Sequence, residues 1–360
     1  MKDSKKILVG ALILAGPLFF ISCTRCSFPL LADKPSDSES ITVLSYNVQN
    51  LFDSSSDGTE YDDYDPSTGD WNEELFHLKL LQIAEVLGRF PEGGADIVLL
   101  QEVENRNALD QLRNHYLKAS GYRYAAVTDA ENSAVNNAVL SRYPIEEILV
   151  HSVSLEGRVG GRPIMEIEFD LGEENVRMLN CHWKSKAGGA RETEEMRIAA
   201  AELVGRRMRE LALAEVPALV AGDLNVNADE WERIDGAYPT ALLPYGLRGE
   251  VRNWTHRPLY ITGDFAESRS DGEATVLFSP WCSGERFSGS YAYQGQWQRI
   301  DHFLLNRTFD DQRGWEYADF EVIHDEALLR DDGLPKRWIS DLGTGYSDHL
   351  PLLLRLERVE

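Results

Sequence analysis

The chain has 360 residues, a formal charge of −24 and a hydrophobic fraction of 43%. That apolar fraction excludes a disordered protein, and the length suits one large α/β domain or two average ones. The acidity excludes a protein that grips DNA tightly through a basic face; attraction for a polyanion would have to be local, or come from bound metal.

The N-terminus reads MKDSKKILVGALILAGPLFFIS. Lys2, Lys5 and Lys6 form a positive region. The apolar stretch from Ile7 to Ile21 is about 15 residues, short against the roughly 20 that span a bilayer. Ser22 directly before Cys23 resembles a bacterial lipoprotein cleavage box, with Cys23 as the lipidated residue. The expected organisation is an export signal at 1–22, a polar linker at 23–40 and one folded domain at 41–358. An ordinary secretory signal and an uncleaved anchor are the alternatives. All three export the chain: lipid-anchored in a bacterial cell envelope, periplasmic or surface-facing, or otherwise secreted. Beyond Cys23 and Cys26, Cys181 and Cys282 lack metal-like spacing. Export permits a disulfide between them, but spacing does not imply one.

In chain order, ITVLSYN (41–47) predicts a strand. Phe76, Leu80, Ile83 and Leu87 predict a helix over 73–89, and ADIVLLQE (95–102) a buried strand. The loop between, 53–70, carries Asp53, Asp57, Glu60, Asp62, Asp63, Asp65 and Asp70 with no Lys or Arg. Its carboxylates permit a structural Ca2+ site, but their order is not that of an EF-hand, and a solvated acidic loop is the simpler reading. Leu109, Leu112 and Tyr116 mark a second helix. Strands are expected at 136–141, 145–153, 163–170 and 175–182. An amphipathic helix follows over 191–214, with Met196, Ala200, Val204 and Leu211 on one face. VPALVAGDLN (216–225) is a strand, and the last strands are 299–305, 319–323 and 351–357. Residues 226–290 lack periodicity and predict long loops. The mixture indicates one α/β domain.

Strand after strand ends or opens in polar residues: Asn47, Glu102, His182, Asp223 with Asn225, Asp301, and Asp348 with His349. One such end is ordinary turn chemistry; six converging on one sheet edge would make an active site. Asn47, Glu102 and Asp348 are oxygen ligands suited to Mg2+ or Mn2+. His182 and His349 can bond a phosphate or move protons near neutrality. Asp301 can hold the His349 tautomer, and Lys184 and Lys186 add positive charge. Together they suit metal-assisted phosphoester hydrolysis.

The stretches SYNVQNLFD (45–53), LLQEVEN (99–105), NCHWKSKAGG (180–189), VAGDLN (220–225), GSYAYQGQWQRIDHFLLN (289–306) and SDHLP (347–351) occur in the order of one family. Through them the chain resembles the endonuclease/exonuclease/phosphatase superfamily, most closely a bacterial exported nuclease-like branch. The resemblance covers about 41–357. It implies an α/β four-layer sandwich of two packed mixed β-sheets flanked by helices. It assigns Asn47, Glu102 and Asp348 to the metal, and Asp223 and Asn225 to the attacking water and the phosphate. His349 matches the histidine on the scissile phosphate, Asp301 its carboxylate partner, and His182 the second histidine. Either Asp223 or the Asp301–His349 pair serves as general base. Asn137 sits where some relatives place a phosphate-contacting asparagine. Arg197 reads as structural. Where deoxyribonuclease-like members carry a minor-groove arginine, this chain has Glu104, which disfavours duplex DNA.

Three functions compete. A nuclease acting on DNA or RNA fits best, with Trp183, Tyr293 and Trp297 as stacking candidates. A sphingomyelinase-like or other small phosphoester hydrolase would need an apolar hairpin for membrane entry, and FSPWCSG (278–284) is the candidate. A non-enzymatic surface binding protein would have lost ligands, yet all expected positions are filled. Nothing marks a protein partner, and a monomer is expected.

Overall fold

The computed structural model describes residues 4–7, 39–67, 69–130, 133–251, 253–270, 274–284 and 287–359. Cys23, Cys26, the leader apart from 4–7 and the linker up to residue 38 lie outside them. Two sheets stack face to face. The first has six strands: β1 (Ser40–Leu51), β2 (Ile97–Val103), β3 (Tyr124–Val127), β4 (Asn136–Ser141), β13 (Gly314–Val322) and β14 (Leu352–Val359), in the order β13-β14-β1-β2-β4-β3. The second runs from β5 (Ile145–His151) through β6 (Ile164–Asp170), β7 (Asn175–His182), β8 (Ala218–Asp223), β12 (Asp301–Leu305), β11 (Thr275–Phe278) and β10 (Leu259–Thr262) to β9 (Leu242–Pro244). Ser4–Ile7 pairs antiparallel with β5 at its edge. Both sheets mix parallel and antiparallel pairs: β1 with β2 and β7 with β8 are parallel, whereas β2 with β4 and β8 with β12 are antiparallel.

Helices close the outer faces. α1 (Glu73–Arg89) buries Phe76, Leu80, Ile83 and Leu87, and the Asn72 side chain caps it by accepting from Leu75 N at 3.1 Å. α3 (Glu194–Leu213) follows the short α2 (Arg106–Gln111) and buries Ala200, Val204, Met208 and Leu211. α2 continues into a π-helical turn over Leu112–Tyr116. Residues 226–290, expected as loops, contribute β9, β10 and β11; strands of three or four residues are too short to show a period. Cys181 and Cys282 are free thiols, Cys181 buried and Cys282 exposed.

Two polar devices tie the sandwich. Between the sheets, Gln101 Nε2 donates to Asn180 Oδ1 at 2.7 Å, and Asn180 Nδ2 donates to the Leu100 and Ala138 carbonyls at 3.1 and 2.9 Å. On the second sheet Glu166, fully buried, accepts from Arg177 at 3.1 Å and Arg207 at 2.8 Å and meets His151 at 2.7 Å. Burial alone would raise its pKa; His151 and Arg207 outweigh that and hold it down at about 2. Its contribution to stability is therefore present above the ordinary carboxyl range and lost as pH falls towards about 2. Glu166→Gln should cost about 3 kcal/mol in urea unfolding at neutral pH, and the deficit should shrink in acid; a deficit independent of pH would contradict this linkage.

Candidate active site at the junction of the two sheets

The strand ends of the first sheet are bent to present their side chains. Pairing of β1 with β2 slips between Asn47 and Leu51, and that of β2 with β4 between Leu100 and Val103. Such bulges re-aim side chains. Gln49, Asn50 and Glu102 take positive φ values of 52°, 62° and 65°, uncommon without glycine. Asn50 N secures the arrangement by donating to Glu102 Oε2 at 2.9 Å.

On the second sheet, β7 and β8 pair with His182 opposite Asp223. Gly222 permits it: φ is +123°, and a Cβ there would lie 2.0 Å from the Cys181 carbonyl oxygen. Asp223 then organises a tight turn, accepting from Asn225 N at 2.8 Å and Asn225 Nδ2 at 3.1 Å. Asn225 also donates to the Trp183 carbonyl at 3.2 Å.

Asn47 joins the two sheet ends. Its Nδ2 lies 3.3 Å from Glu102 Oε1 and 3.2 Å from Asp223 Oδ2. The polar strand ends therefore converge on the junction of two sheets, not on one sheet edge. Asn47 Oδ1 accepts from Gln49 N at 3.0 Å, so Asn47, expected as a metal ligand, meets both carboxylates through its donors. His182 Nε2 is 3.6 Å from Glu102 Oε1 and from Asp223 Oδ2, and its buried Nδ1 has no partner among the described residues.

The segment before β14 completes the site. Ser347 Oγ donates to the Asn47 carbonyl at 2.7 Å, and Asp348 N donates to Gln49 Oε1 at 2.9 Å. Gln49 also accepts from Trp338 N at 2.8 Å and donates to the Trp338 carbonyl at 3.1 Å. It was not singled out in the sequence, although it stands two residues from Asn47. His349 Nδ1 lies 2.8 Å from Asp301 Oδ2, which also accepts from Ser290 Oγ at 2.6 Å. His349 Nε2 lies 3.9 Å from Asp223 Oδ2 and 4.0 Å from Asp348 Oδ1.

Burial and neighbouring charge set the protonation pattern. Burial pushes Asp223 up to about 7, with His349 opposing and Asp301 adding to the rise. Burial would pull His349 down, but Asp301, then Asp223 and Asp348, hold it up at about 10. Burial lowers His182 well below its ordinary value, and Arg162, His349 and Lys184 add to this, so His182 is neutral at pH 7. Burial and then Asp348 raise Glu102. At neutral pH a cationic and a neutral histidine thus flank a carboxyl group able to exchange a proton. Arg162, another residue the sequence reading passed over, is half-buried and donates to the Trp183 carbonyl at 3.0 Å. Its charge acts on both Glu102 and His182, which puts it near the centre of the site.

The remaining expected residues are spread differently. Asn137 is buried and donates to the Pro163 and Asn180 carbonyls at 3.0 and 3.1 Å, with its Oδ1 unpartnered. Lys184 is half-buried, and its carbonyl accepts from Arg197 at 2.8 Å. Lys186 is committed to an ion pair with Glu230 at 2.7 Å. Arg197 is fully buried against Glu194, the structural position expected of it. Trp183 is buried and offers no face for stacking. The FSPWCSG segment is no membrane hairpin: Phe278 and Trp281 are both buried, and Trp281 Nε1 donates to the Asp301 carbonyl at 2.8 Å.

A divalent ion fits this donor set. Glu102 and Asp348 bring two carboxylates close enough for one to raise the other, an excess of negative charge that a cation relieves. Hard oxygen donors suit Mg2+ or Mn2+. Asp223, Asp301 and His349 also offer ligand atoms within 4.8 Å of one another, but the Asp301–His349 hydrogen bond occupies that pair.

Asp301→Asn removes the counter-charge and should lower the His349 titration by about two units, read by NMR of the metal-free protein against His349→Ala. The His349 contribution to stability is full below about 6.5 and lost as pH rises through about 10. An unmoved midpoint would show that Asp301 does not poise the ring.

Comparison with known proteins bears on this geometry. The endonuclease/exonuclease/phosphatase family model matches residues 42–235, more than half the chain. A search of curated proteins gives no match. Among solved structures, truncated TDP2 of Caenorhabditis elegans is similar with a TM-score of 0.51 and 17% identity over 88% of this chain and 97% of that one. An endonuclease/exonuclease/phosphatase family protein of Bacteroides thetaiotaomicron gives 0.50 and 17% over 89% and 98%. The human Nocturnin catalytic domain with bound sulfate gives 0.50 and 15% over 89% and 93%. These structures share the two-sheet sandwich. The chain belongs to the endonuclease/exonuclease/phosphatase family and is a phosphoester hydrolase of its metal-dependent kind.

Proposed function

We propose that the protein is an exported, divalent-metal-dependent nuclease that hydrolyses phosphodiester bonds of single-stranded DNA or RNA. The observation that carries this reading is the hairpin Tyr291–Tyr293 and Gln296–Gln298 beside the site. Tyr291 packs on the His349 ring at 4.6 Å, so the hairpin stands at the reacting centre. Tyr293 near its tip is 54% exposed. Gln294, Gly295 and Gln296 surround it, a polar setting that suits stacking on bases and opposes insertion into a bilayer. Trp297 is half-buried and packs towards His324 at 5.8 Å. A groove for single strands needs few basic side chains if an aromatic face and a metal hold the substrate, which agrees with the charge of −24.

In this reading His349, protonated and fixed by Asp301, donates from Nε2 to a non-bridging phosphate oxygen. His182 and Arg162 hold the phosphate from the other side. Asp223, steadied by Asn225 and Asn47, takes a proton from the attacking water. Glu102 and Asp348 would hold an Mg2+ or Mn2+ ion, which would supply charge stabilisation at the phosphate. The leader at 1–22 and lipidation of Cys23 would place the enzyme at the cell envelope, where extracellular nucleic acid is available.

Purified protein with Mg2+ or Mn2+ should cleave single-stranded DNA or RNA, lose this with EDTA, and lose it in His349→Ala. Turnover of sphingomyelin with inert nucleic acids would replace this reading with the lipid phosphodiesterase. Tyr293→Ala should raise KM for a single strand about tenfold and leave a small aryl phosphodiester unaffected; equal effects on both would remove the stacking role. Gln49→Leu leaves Trp338 N and Asp348 N without their acceptor and should lower kcat about 100-fold through misplacement of Asp348. A kcat within twofold of the parent would show that the staple is dispensable.

A further inference from the structure

A second group of carboxylates lies past the end of β2, sharing no residue with the site above. One oxygen each of Asp57, Glu60 and Glu104 lies within 4.8 Å of the others. An acidic cluster by itself is only a solvated surface. What distinguishes this one is Glu104. It is 3% exposed, and its Oε1 is buried with no hydrogen-bond partner among the described residues. Its Oε2 accepts from Asp53 N at 2.6 Å, which fixes the carboxylate in place. A buried carboxylate with one bare oxygen, grouped with two further carboxylates, is destabilising while charged unless it takes up a proton or a cation stands among them.

Among the described residues, none of Asp57, Glu60 and Glu104 forms an ion pair, and the loop over 53–70 contains no Lys or Arg. Asp53 next to them is already served by amides, with Asn105 Nδ2 at 3.1 Å and Asn107 Nδ2 at 2.7 Å on its Oδ2. The other two acids, Asp57 exposed and Glu60 half-buried, are held by the loop's own backbone and hydroxyl donors. Gly58 N donates to Glu60 Oε2 at 2.8 Å, and Thr59 N and Oγ1 donate to Asp57 Oδ1 at 3.0 and 2.7 Å.

We propose that Asp57, Glu60 and Glu104 form a second divalent-cation site, of the calcium class, that clasps the acidic loop to the end of the strand carrying Glu102. Carboxylate oxygens gathered within 4.8 Å of one another suit calcium, which takes many oxygens in tolerant geometry, better than magnesium, which keeps its waters and demands a near-octahedral shell. The ion would convert the loop, read from sequence as solvated, into a fixed element beside the catalytic glutamate. Cation binding at this loop is independent of the substrate cleaved at the other site.

The test uses the full chain stripped of metal and titrated calorimetrically with Ca2+, with Tm followed in parallel. The expected result is a calcium site that persists in Glu102→Gln and raises Tm by several degrees. Asp57→Asn with Glu60→Gln, placed on the accessible loop where folding is least at risk, should remove one equivalent of bound Ca2+ and the Tm shift. Glu104→Gln should do the same. A double variant that titrates like the parent would overturn the proposal, as would loss of all calcium binding in Glu102→Gln. An equal Tm shift with Mg2+ through the same residues would overturn the calcium assignment.

Discussion

Burial of charge where the two sheets meet is the constraint on which the site depends. Asp223, Asp301, His182 and His349 are each 6% exposed or less, and none would stay there without the others. The 2.8 Å contact between His349 Nδ1 and Asp301 Oδ2 is the strongest member of the set. It fixes the tautomer, keeps the ring charged against its own burial, and points Nε2 towards Asp223. Asn47 and Asn225 supply neutral donors to Asp223, so that a carboxyl group sits among acids without being neutralised by a permanent cation.

The fold serves this arrangement by holding its parts on different elements. Asn47 and Glu102 come from parallel neighbours in one sheet, His182 and Asp223 from parallel neighbours in the other. The Asn180 and Gln101 amides stitch the sheets together through buried hydrogen bonds. Positive φ at Gln49, Asn50 and Glu102 shows where regular strand geometry was given up to aim side chains. Gln49 then transmits the position of the first sheet to the segment bearing Asp348. The site is thus built from both sheets and the segment before β14, and the exposed Tyr293 hairpin stands at its margin.

Much of this was legible in the sequence because polar residues at strand ends are visible against apolar runs. The helix expected at 73–89 is Glu73–Arg89, and the strands at 136–141 and 175–182 match their observed bounds. Short strands such as Leu242–Pro244 carry too few residues for a period, so β9, β10 and β11 of the second sheet looked like loop. Gln49 and Arg162 escaped notice because their value lies in distant partners, Trp338 for one and the Trp183 carbonyl for the other. Trp183, beside His182, resembled a stacking platform, but the close pairing of β7 with β8 leaves it buried. Lys186 looked like local positive charge until Glu230, far along the chain, supplied its counter-ion.

The most direct test of the central claim is anomalous diffraction from crystals of the protein soaked with Mn2+ and a phosphorothioate dinucleotide. The account predicts a manganese peak between Glu102 and Asp348, with the sulfur-bearing phosphate between His182 and His349. Manganese bound elsewhere while the phosphate avoids both histidines would contradict it.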